Sequence, residues 1–133
     1  MRVLIVDDDA GIRETLGVML RDEGYDVEEA TNGADALRKM WTASDPTVVL
    51  LDMWMPQMSG EETLVAAEAH PALWNRLAFI VITANPRRLS ERAQALLART
   101  GIPLLVKPFD IDALEEAVRA AANSLASANG SRA

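Results

Sequence analysis

Polar side chains with distinct chemistry follow four short apolar segments of this chain, each at the point where the segment ends. The segments and the residues after them are 3–6 with Asp7 and Asp8, 47–51 with Asp52, 78–82 with Thr83, and 103–106 with Lys107. Short apolar segments of this kind are typical of strands buried on both faces of a sheet. If the strands are parallel, their carboxyl ends share one edge, where open α/β sheets bind ligands. Three carboxylates, a hydroxyl and an amine are therefore predicted to converge on one site.

Asp52 is the residue around which this prediction is organised, because the apolar segment 47–51 leads directly into it. Pro56 and Gly60 bracket the loop that follows, since proline fixes the backbone angle φ and glycine frees it. A carboxylate at such a strand end is accessible and can act as a ligand or as a nucleophile. Taken alone, Asp52 is explained equally well as a residue that caps the next helix.

The regions between the apolar segments have helical spacing, so strands and helices alternate along the chain. Apolar residues recur at helical intervals in four regions, which are 12–23, 34–41, 89–97 and 111–125, and region 60–69 is helical by composition. A weak second strand is expected at 26–30, and Gly24 and Gly101 are expected to end the helices before them. Asp110 is expected to cap the last helix. This alternation predicts an α/β fold, (βα)5, with a parallel sheet and right-handed crossovers.

Length and composition indicate one globular domain and exclude several functional classes. The chain has 133 residues, of which 50% are hydrophobic and 25% charged, and this is enough for one core. Cysteine is absent, so a disulfide or a thiolate metal site is excluded. No apolar run approaches the roughly 20 residues that span a bilayer, and no signal-peptide pattern is present, so a cytoplasmic location is expected. The net charge of −7 argues against direct binding of nucleic acid.

The polar residues and their surroundings resemble the receiver domain of bacterial two-component response regulators. The resemblance rests on Asp7, Asp8, Asp52, Thr83 and Lys107, on Pro108 and Phe109 after the lysine, and on the stretch 52–60. It covers residues 1–126 and implies a flavodoxin-like, doubly wound sheet of five parallel strands in the order 2-1-3-4-5. Residues 127–133 are expected to form a flexible tail or the start of a linker.

The resemblance also implies how the carboxylates act. Asp52 is the phosphoacceptor, which attacks a phosphoryl group carried on a histidine of a donor protein. Mg²⁺ is bound directly by Asp8, by Asp52 and by the backbone carbonyl of Trp54, and through a water molecule by Asp7. Lys107 supplies a positive charge near the phosphoryl group. Phosphoryl transfer needs alignment and charge neutralisation more than covalent help.

Physical chemistry supports a cation at this site independently. Two carboxylates ~5 Å apart repel by about 3 kcal/mol at an effective dielectric constant of ~20, and the predicted site has three of them. A set of oxygen ligands without histidine or cysteine suits Mg²⁺. Thr83 offers a hydroxyl that can donate to a phosphoryl oxygen, although a threonine at the end of a strand is also common in sheets. Asp9 is better explained as the N-cap of the first helix than as a ligand.

The chain departs from the family pattern at Leu104, three residues before the lysine. Receiver domains often carry tyrosine or phenylalanine there, as a rotamer switch coupled to the threonine. Leucine has no hydroxyl and less area, so the resemblance does not carry the usual coupling to Thr83 over to this chain. A leucine in this position can still pack inward or outward. Pro108 raises the chance of a cis peptide bond after Lys107.

The expected phosphoryl donor is another protein, because the only histidine, His70, precedes Pro71 in a loop. The resemblance implies a sensor histidine kinase or a phosphotransfer protein in that role. It also implies a homodimer or an output contact through the fourth helix, the fifth strand and the fifth helix. Neither nucleic acid nor a membrane is expected to bind directly.

Three other functions share part of this pattern. A Mg²⁺-dependent phosphatase with an aspartate nucleophile has a second aspartate two residues later, where this chain has Trp54, and a turnover assay on a small phosphomonoester separates the two functions. A pseudo-receiver that serves only for protein interaction would not need the full set of site residues. A dinucleotide-binding domain needs a G-x-G-x-x-G turn where this chain has the aspartates 7–9.

Overall fold

The computed structural model describes residues 1–42 and 44–130. The strands within these residues are β1 (Arg2–Val6), β2 (Asp26–Ala30), β3 (Thr47–Asp52), β4 (Leu77–Thr83) and β5 (Leu104–Val106). The helices are α1 (Ala10–Asp22), α2 (Gly33–Thr42), α3 (Gly60–Glu68), α4 (Pro71–Trp74), α5 (Glu91–Thr100) and α6 (Ile111–Gly130). A 3₁₀ turn, Pro86–Arg88, lies between β4 and α5. No helix in the described part of the chain is both long and apolar enough to cross a membrane.

The strands form one parallel sheet in the order β2-β1-β3-β4-β5. This confirms the predicted α/β class, the flavodoxin-like topology and the strand order. β1 and β3 are neighbours, and Val6 pairs with Leu51, so the residues that follow these strands meet where the strand order reverses. The structure therefore places the ends of the predicted apolar segments at one edge of the sheet.

Helices cover both faces of the sheet, and alternate residues of each central strand face opposite cores. In β1, Val3 and Ile5 belong to the core formed with α1 and α6. Leu4 and Val6 belong to the core formed with α2, α3 and α5. Burial on both faces explains why the central segments are continuously apolar rather than alternating. It also fixes the register of these strands, because a slip by one residue would exchange the two faces.

The chain forms one helix that the sequence did not predict, the single turn α4, directly after His70. Proline at position 71 fits the first helical position, because its missing N–H has no intrahelical partner there. Leu73 is fully buried and anchors the turn in the core. The helices predicted as the fourth and the fifth are therefore α5 and α6.

The observed ends of the helices agree with those predicted from the sequence, except at the end of the last helix. Gly24 and Gly101 both have positive φ, at 93° and 72°, directly after α1 and α5. Asp110 accepts a hydrogen bond of 3.1 Å from the N–H of Asp112, as expected of a cap on α6. α6 continues to Gly130, because its alanine-rich sequence favours a helix and Leu125 is buried. Residues 127–130 are thus helical, residues 131–133 lie outside the described residues, and the boundary after residue 126 stays a prediction.

Candidate functional site

Three carboxylates meet at the carboxyl ends of β1 and β3. One oxygen from each of Asp7, Asp8 and Asp52 lies within 4.8 Å of the other two. Asp7 and Asp52 are 2% and 5% exposed, whereas Asp8 is exposed to solvent. The predicted cluster is therefore present, with two of its carboxylates removed from water and the third at the mouth of the crevice.

Asp7 is held by hydrogen bonds from three directions. Its N–H donates to the carbonyl of Ala30 at 3.2 Å, which continues the β1–β2 ladder by one residue. Its Oδ1 accepts the N–H of Asp9 at 2.9 Å, and its carbonyl accepts the guanidinium of Arg13 at 2.7 Å. Asp9 itself accepts from the N–H groups of Gly11 and residue 12, so the predicted N-cap of α1 is confirmed.

Lys107 joins the two buried carboxylates. The N–H of Lys107 donates to the carbonyl of Thr83 at 2.8 Å, which fixes its backbone beside the end of β4. Its Nζ lies 3.0 Å from Oδ2 of Asp7 and 3.7 Å from Oδ2 of Asp52. Burial acts to lower the pKa of Lys107, but the ion pairs with the two carboxylates outweigh it and raise that pKa. The peptide bond between Lys107 and Pro108 is cis, the form that proline makes more accessible at this position.

Asp52 is a carboxyl group with a strongly raised pKa. Burial is the main cause, and together with the neighbouring carboxylates of Asp7 and Asp8 it raises the pKa of Asp52 from 3.8 to about 6. The N–H of Trp54, which donates to its Oδ1 at 3.2 Å, and the nearby Lys107 act in the opposite direction. A site that holds more negative charge than it neutralises favours a proton or a cation.

The loop after Asp52 passes close to the strand it leaves. The Cβ of any side chain at position 60 would lie 2.5 Å from the carbonyl oxygen of Asp52, so glycine is required there. Gln57 has φ of 68°, a left-handed conformation that is uncommon for a residue with a side chain. Ser59 and Glu62 then form a capping box that starts α3. These contacts press the loop onto the carboxyl end of β3, next to the acidic cluster.

Thr83 lies fully buried at the end of β4, and its hydroxyl faces the same loop. Oγ1 of Thr83 accepts the indole N–H of Trp54 at 3.0 Å and the backbone N–H of Asn85 at 3.2 Å. Trp54 is 44% exposed, and the guanidinium carbon of Arg88 lies 5.6 Å from the centroid of its ring. Leu104 is half-buried and packs against the core on the side of α2, α3 and α5.

The structure thus brings together every predicted site residue except Leu104, which pairs with Val81 and packs against the apolar core. The sequence did not point to Arg88 or to Asn85. No spacing rule identifies them, because their contacts depend on how the loop after β4 folds back over Trp54. The roles predicted for the site residues are not visible in the geometry alone and remain predictions.

The donor set fits Mg²⁺. All three side chains offer hard carboxylate oxygens, and Asp7, Asp8 and Asp52 are the group of metal-ligating type found among residues 1–42 and 44–130. Receiver domains bind Mg²⁺ at an acidic site of this kind, and the cluster of Asp7, Asp8 and Asp52 likewise consists of carboxylates.

The protein-family model described as the response regulator receiver domain matches residues 3–119. Sporulation initiation phosphotransferase F from Bacillus subtilis is 36% identical over 119 residues, which cover 89% of this chain and 90% of that protein. Response regulator MprA from Mycobacterium avium is 36% identical over 120 residues, which cover 90% of this chain. The chain spans 50% of the length of MprA and 25% of that of the regulatory protein AtoC from Escherichia coli.

Solved structures of receiver domains are similar over nearly the whole chain. A CheY-like receiver domain protein from Methanospirillum hungatei has a TM-score of 0.80 at 27% identity, over 95% of this chain and 96% of that chain. Response regulator TrrA from Thermotoga maritima, in complex with Mg²⁺-BeF, has a TM-score of 0.72 at 34% identity, over 90% of this chain and 97% of that chain. The family match, the relatives and the shared fold agree with the acidic cluster: this chain belongs to the response regulator receiver domain family of two-component systems.

Proposed function

We propose that this receiver domain accepts a phosphoryl group on Asp52 from a phosphohistidine of a sensor histidine kinase or a phosphotransfer protein. Response regulators as a class are phosphorylated by these two kinds of donor. The observation that carries the proposal is the position of Lys107, with its Nζ 3.0 Å from Asp7 and 3.7 Å from Asp52 at the ends of adjacent strands. A lone lysine in contact with two buried carboxylates is poorly explained as surface charge, and it suits a site for a transferring anion.

The transfer needs a carboxylate nucleophile and a leaving imidazole. An oxygen of ionised Asp52 attacks phosphorus, so that a P–O bond forms while the P–N bond to the donor histidine breaks. The imidazole nitrogen keeps the electron pair of that bond and then takes up a proton. With a pKa of about 6, a value that already includes the lowering effect of Lys107, Asp52 is mostly ionised near neutral pH.

We assign the metal ligands by the same reasoning. Asp8, Asp52 and the backbone carbonyl of Trp54 would hold Mg²⁺ directly, and Asp7 would hold it through water. Bound Mg²⁺ supplies positive charge that offsets the carboxylates and the oxygens of the phosphoryl group. Lys107 adds a positive charge beside Asp52, and its link to Asp7 keeps the ammonium group at the site. The hydroxyl of Thr83 would donate to a phosphoryl oxygen once the group is bound.

The protein is a phosphoacceptor, and we propose that it promotes only its own phosphorylation and dephosphorylation. The loop from residue 53 to 59 contains no second carboxylate to serve as a general acid for an outside substrate. In place of such a group, the buried side chain of Met53 and the large indole of Trp54 follow Asp52. These residues favour storage of one phosphoryl group over turnover of many.

A groove beside the site offers a place for the donor. It has a volume of about 800 Å³ and lies between the start of α1 and the segment after β5. Ile12 and Leu16 line one wall, and Phe109 and Ile111 line the other, with Lys107 at the end nearest Asp52. An apolar face of a helix on a donor protein would bury these side chains while it presents its histidine to Asp52.

We further propose that phosphorylation changes how the face of α5, β5 and α6 binds partners, including a second copy of this chain. Val106 on β5 is 43% exposed, so this face offers apolar area to a partner. The net charge of −7 makes direct binding of nucleic acid unfavourable, so the signal would leave through protein contacts. A cytoplasmic location agrees with this role.

Labelling with a small phosphodonor tests the proposal. Incubation with acetyl phosphate and Mg²⁺ should add one phosphoryl group to the protein, measured as intact mass. Asp52→Asn should abolish the added mass, whereas Asp45→Asn, which changes an exposed aspartate on the opposite end of β3, should leave it intact. Full labelling of Asp52→Asn, or steady turnover of a phosphomonoester by the wild type, would contradict the proposal.

A further inference from the structure

The indole of Trp54 occupies the place at which the phosphoacceptor loop meets the switch threonine. Its backbone N–H donates to Oδ1 of Asp52 at 3.2 Å. Its ring N–H donates to the hydroxyl of Thr83 at 3.0 Å. One residue is therefore bonded both to the proposed phosphoacceptor and to the hydroxyl that would contact the phosphoryl group.

The hydroxyl of Thr83 is held by two N–H groups, one from the loop after β3 and one from the loop after β4. A threonine hydroxyl has two acceptor lone pairs and one donor hydrogen. Trp54 and the N–H of Asn85 fill both acceptor positions. Within the described residues, Oγ1 of Thr83 makes no hydrogen bond to Asp52 or Lys107. These two bonds hold the oxygen against the loops, and a turn of the side chain toward a group on Asp52 would pull the oxygen away from them.

That rotation would break the bond to Trp54. A change of one rotamer about χ1 displaces the threonine oxygen by roughly 2 Å, which is too far for the present hydrogen bonds to persist. Leu104, which stands where an aromatic switch residue is common in receiver domains, has no polar atom to respond. Trp54 is the side chain in the described residues that hydrogen-bonds this hydroxyl.

Trp54 is also linked to the segment that leads into α5. The guanidinium carbon of Arg88 lies 5.6 Å from the ring centroid, in the 3₁₀ turn that follows Thr83. A cleft of about 190 Å³ lies between the indole, Arg88 and the start of α5 at Ser90, and it gives the ring space to move. Displacement of the indole would therefore change the contacts of the loop that precedes α5.

We propose that Trp54 is a positioning residue that holds the Thr83 hydroxyl away from the phosphoryl site and releases it on phosphorylation. The released indole, with Arg88, then passes the change to the start of α5, a role that Leu104 cannot take. This inference rests on the proposed function, because it requires a phosphoryl group on Asp52. It predicts that loss of the ring N–H favours the phosphorylated conformation.

Binding of beryllofluoride in excess Mg²⁺, measured by calorimetry, tests the proposal in a double-mutant cycle. Trp54→Phe keeps an aromatic ring but removes the N–H donor, and it should tighten beryllofluoride binding about fivefold, which corresponds to one hydrogen bond of about 1 kcal/mol. Thr83→Val removes the hydroxyl at similar volume. In the Thr83→Val background, Trp54→Phe should change the affinity no further, because the bond is already absent.

The outcomes separate the inference from the proposed function. Unchanged or weaker binding by Trp54→Phe, or an equal gain in the Thr83→Val background, would overturn the inference alone. A wild-type protein that does not bind beryllofluoride, or an Asp52→Asn variant that binds it equally well, would overturn the proposed function and this inference with it. Thermal unfolding of each variant shows whether a loss of beryllofluoride binding results from a loss of folding.

Fluorescence gives a second readout in a Trp41→Phe, Trp74→Phe background, where Trp54 is the one indole left. Thr83→Val with Mg²⁺ alone should already show the emission that the parent shows only with beryllofluoride, because the ring N–H lacks its acceptor in both. Amide shifts at the start of α5 on beryllofluoride binding should shrink in Arg88→Ala. They should persist in Arg87→Ala, which removes the same charge from the neighbouring exposed position. A Thr83→Val emission that still changes fully with beryllofluoride would contradict the release of the indole.

Discussion

The acidic side of the site, formed by Asp7, Asp8 and Asp52, and the switch side, formed by Thr83, Trp54 and Arg88, differ in what holds their polar groups. On the acidic side, buried strand ends and Lys107 hold groups that repel one another. On the switch side, the loop after β3 and the loop after β4 are joined by two contacts of Trp54. These are its neutral hydrogen bond to Thr83 and the stacking of the Arg88 guanidinium over its ring. The first side stores electrostatic energy that a bound cation can relieve. The second can rearrange at the cost of about one hydrogen bond.

This difference predicts that charge changes on the acidic side have large effects and that changes on the switch side have small ones. The expected effects decrease from removal of the lysine charge, through titration of Asp52 and removal of the charge of Asp8, to truncation of Trp54.

Lys107→Met should slow phosphorylation by acetyl phosphate by roughly 10²- to 10³-fold, because it removes a preorganised positive charge at the reacting group. Lys39→Met is the control, since Lys39 is the other lysine of the chain and lies in α2. The rate of mass gain measures both. A Lys107→Met rate within a few-fold of the control would mean that the acidic side does not depend on this ammonium group.

The raised pKa of Asp52 makes the metal-free protein less stable as pH rises. The folded state keeps the proton up to a pKa of about 6, whereas the unfolded state loses it near 3.8. The contribution of Asp52 to stability is therefore greatest below the lower value and is lost as pH rises through the higher one, by about 3 kcal/mol in total. Urea unfolding in EDTA at pH 4 and pH 7.5 should show this loss in the wild type relative to Asp52→Asn. A constant difference between the two proteins would contradict the raised pKa.

Asp8→Asn should raise the free energy of unfolding in EDTA by about 1–2 kcal/mol, because it removes a like charge beside two others and its exposed position screens the effect. The same variant should lose most of the stabilisation that Mg²⁺ gives the parent. Asp9→Asn is the control, because it removes the same charge one residue later and asparagine caps a helix equally well. Melting temperatures with EDTA and with Mg²⁺ measure both effects. An Asp8→Asn protein that is less stable than its parent in EDTA would contradict the clustered geometry.

Trp54→Ala should shorten the lifetime of phosphorylated Asp52 several-fold, because the indole beside the site restricts the approach of water. Trp41→Ala is the control, since Trp41 and Trp54 are 46% and 44% exposed and Trp41 lies in α2, away from the site. Loss of the added phosphoryl mass over time gives the lifetime. Equal lifetimes in the two variants would confine the role of Trp54 to its hydrogen bond with Thr83.

The acidic side could be predicted from the sequence because strand register fixes it. β1 and β3 are apolar on both faces, so their register is set by burial, and the residues after Val6 and Leu51 must meet. Lys107 directly follows β5, whose last residue, Val106, pairs with Thr83. β5 is a partly exposed edge strand and is not buried on both faces as its apolar sequence predicted. These positions depend on backbone topology, which the spacing of apolar segments determines.

The switch side could not be predicted because it depends on side-chain and loop conformations. The bond between Trp54 and Thr83 requires one rotamer of the indole and a loop with Gln57 at positive φ. Arg88 contacts the ring of Trp54 because it lies in a 3₁₀ turn, and such a short turn has no periodic sequence pattern that would predict it. The helix α4 was missed for a similar reason, since a single turn has too few residues to show helical spacing.

Chemical trapping of the phosphorylated residue tests the central claim most directly. Borohydride reduces an acyl phosphate of aspartate to homoserine, so the position can be found by peptide mass spectrometry after treatment with acetyl phosphate and Mg²⁺. The claim predicts homoserine at position 52 alone, and none after treatment in EDTA. Homoserine at position 7 or 8, or at no position in a protein that has gained the phosphoryl mass, would contradict the assignment of Asp52 as the phosphoacceptor.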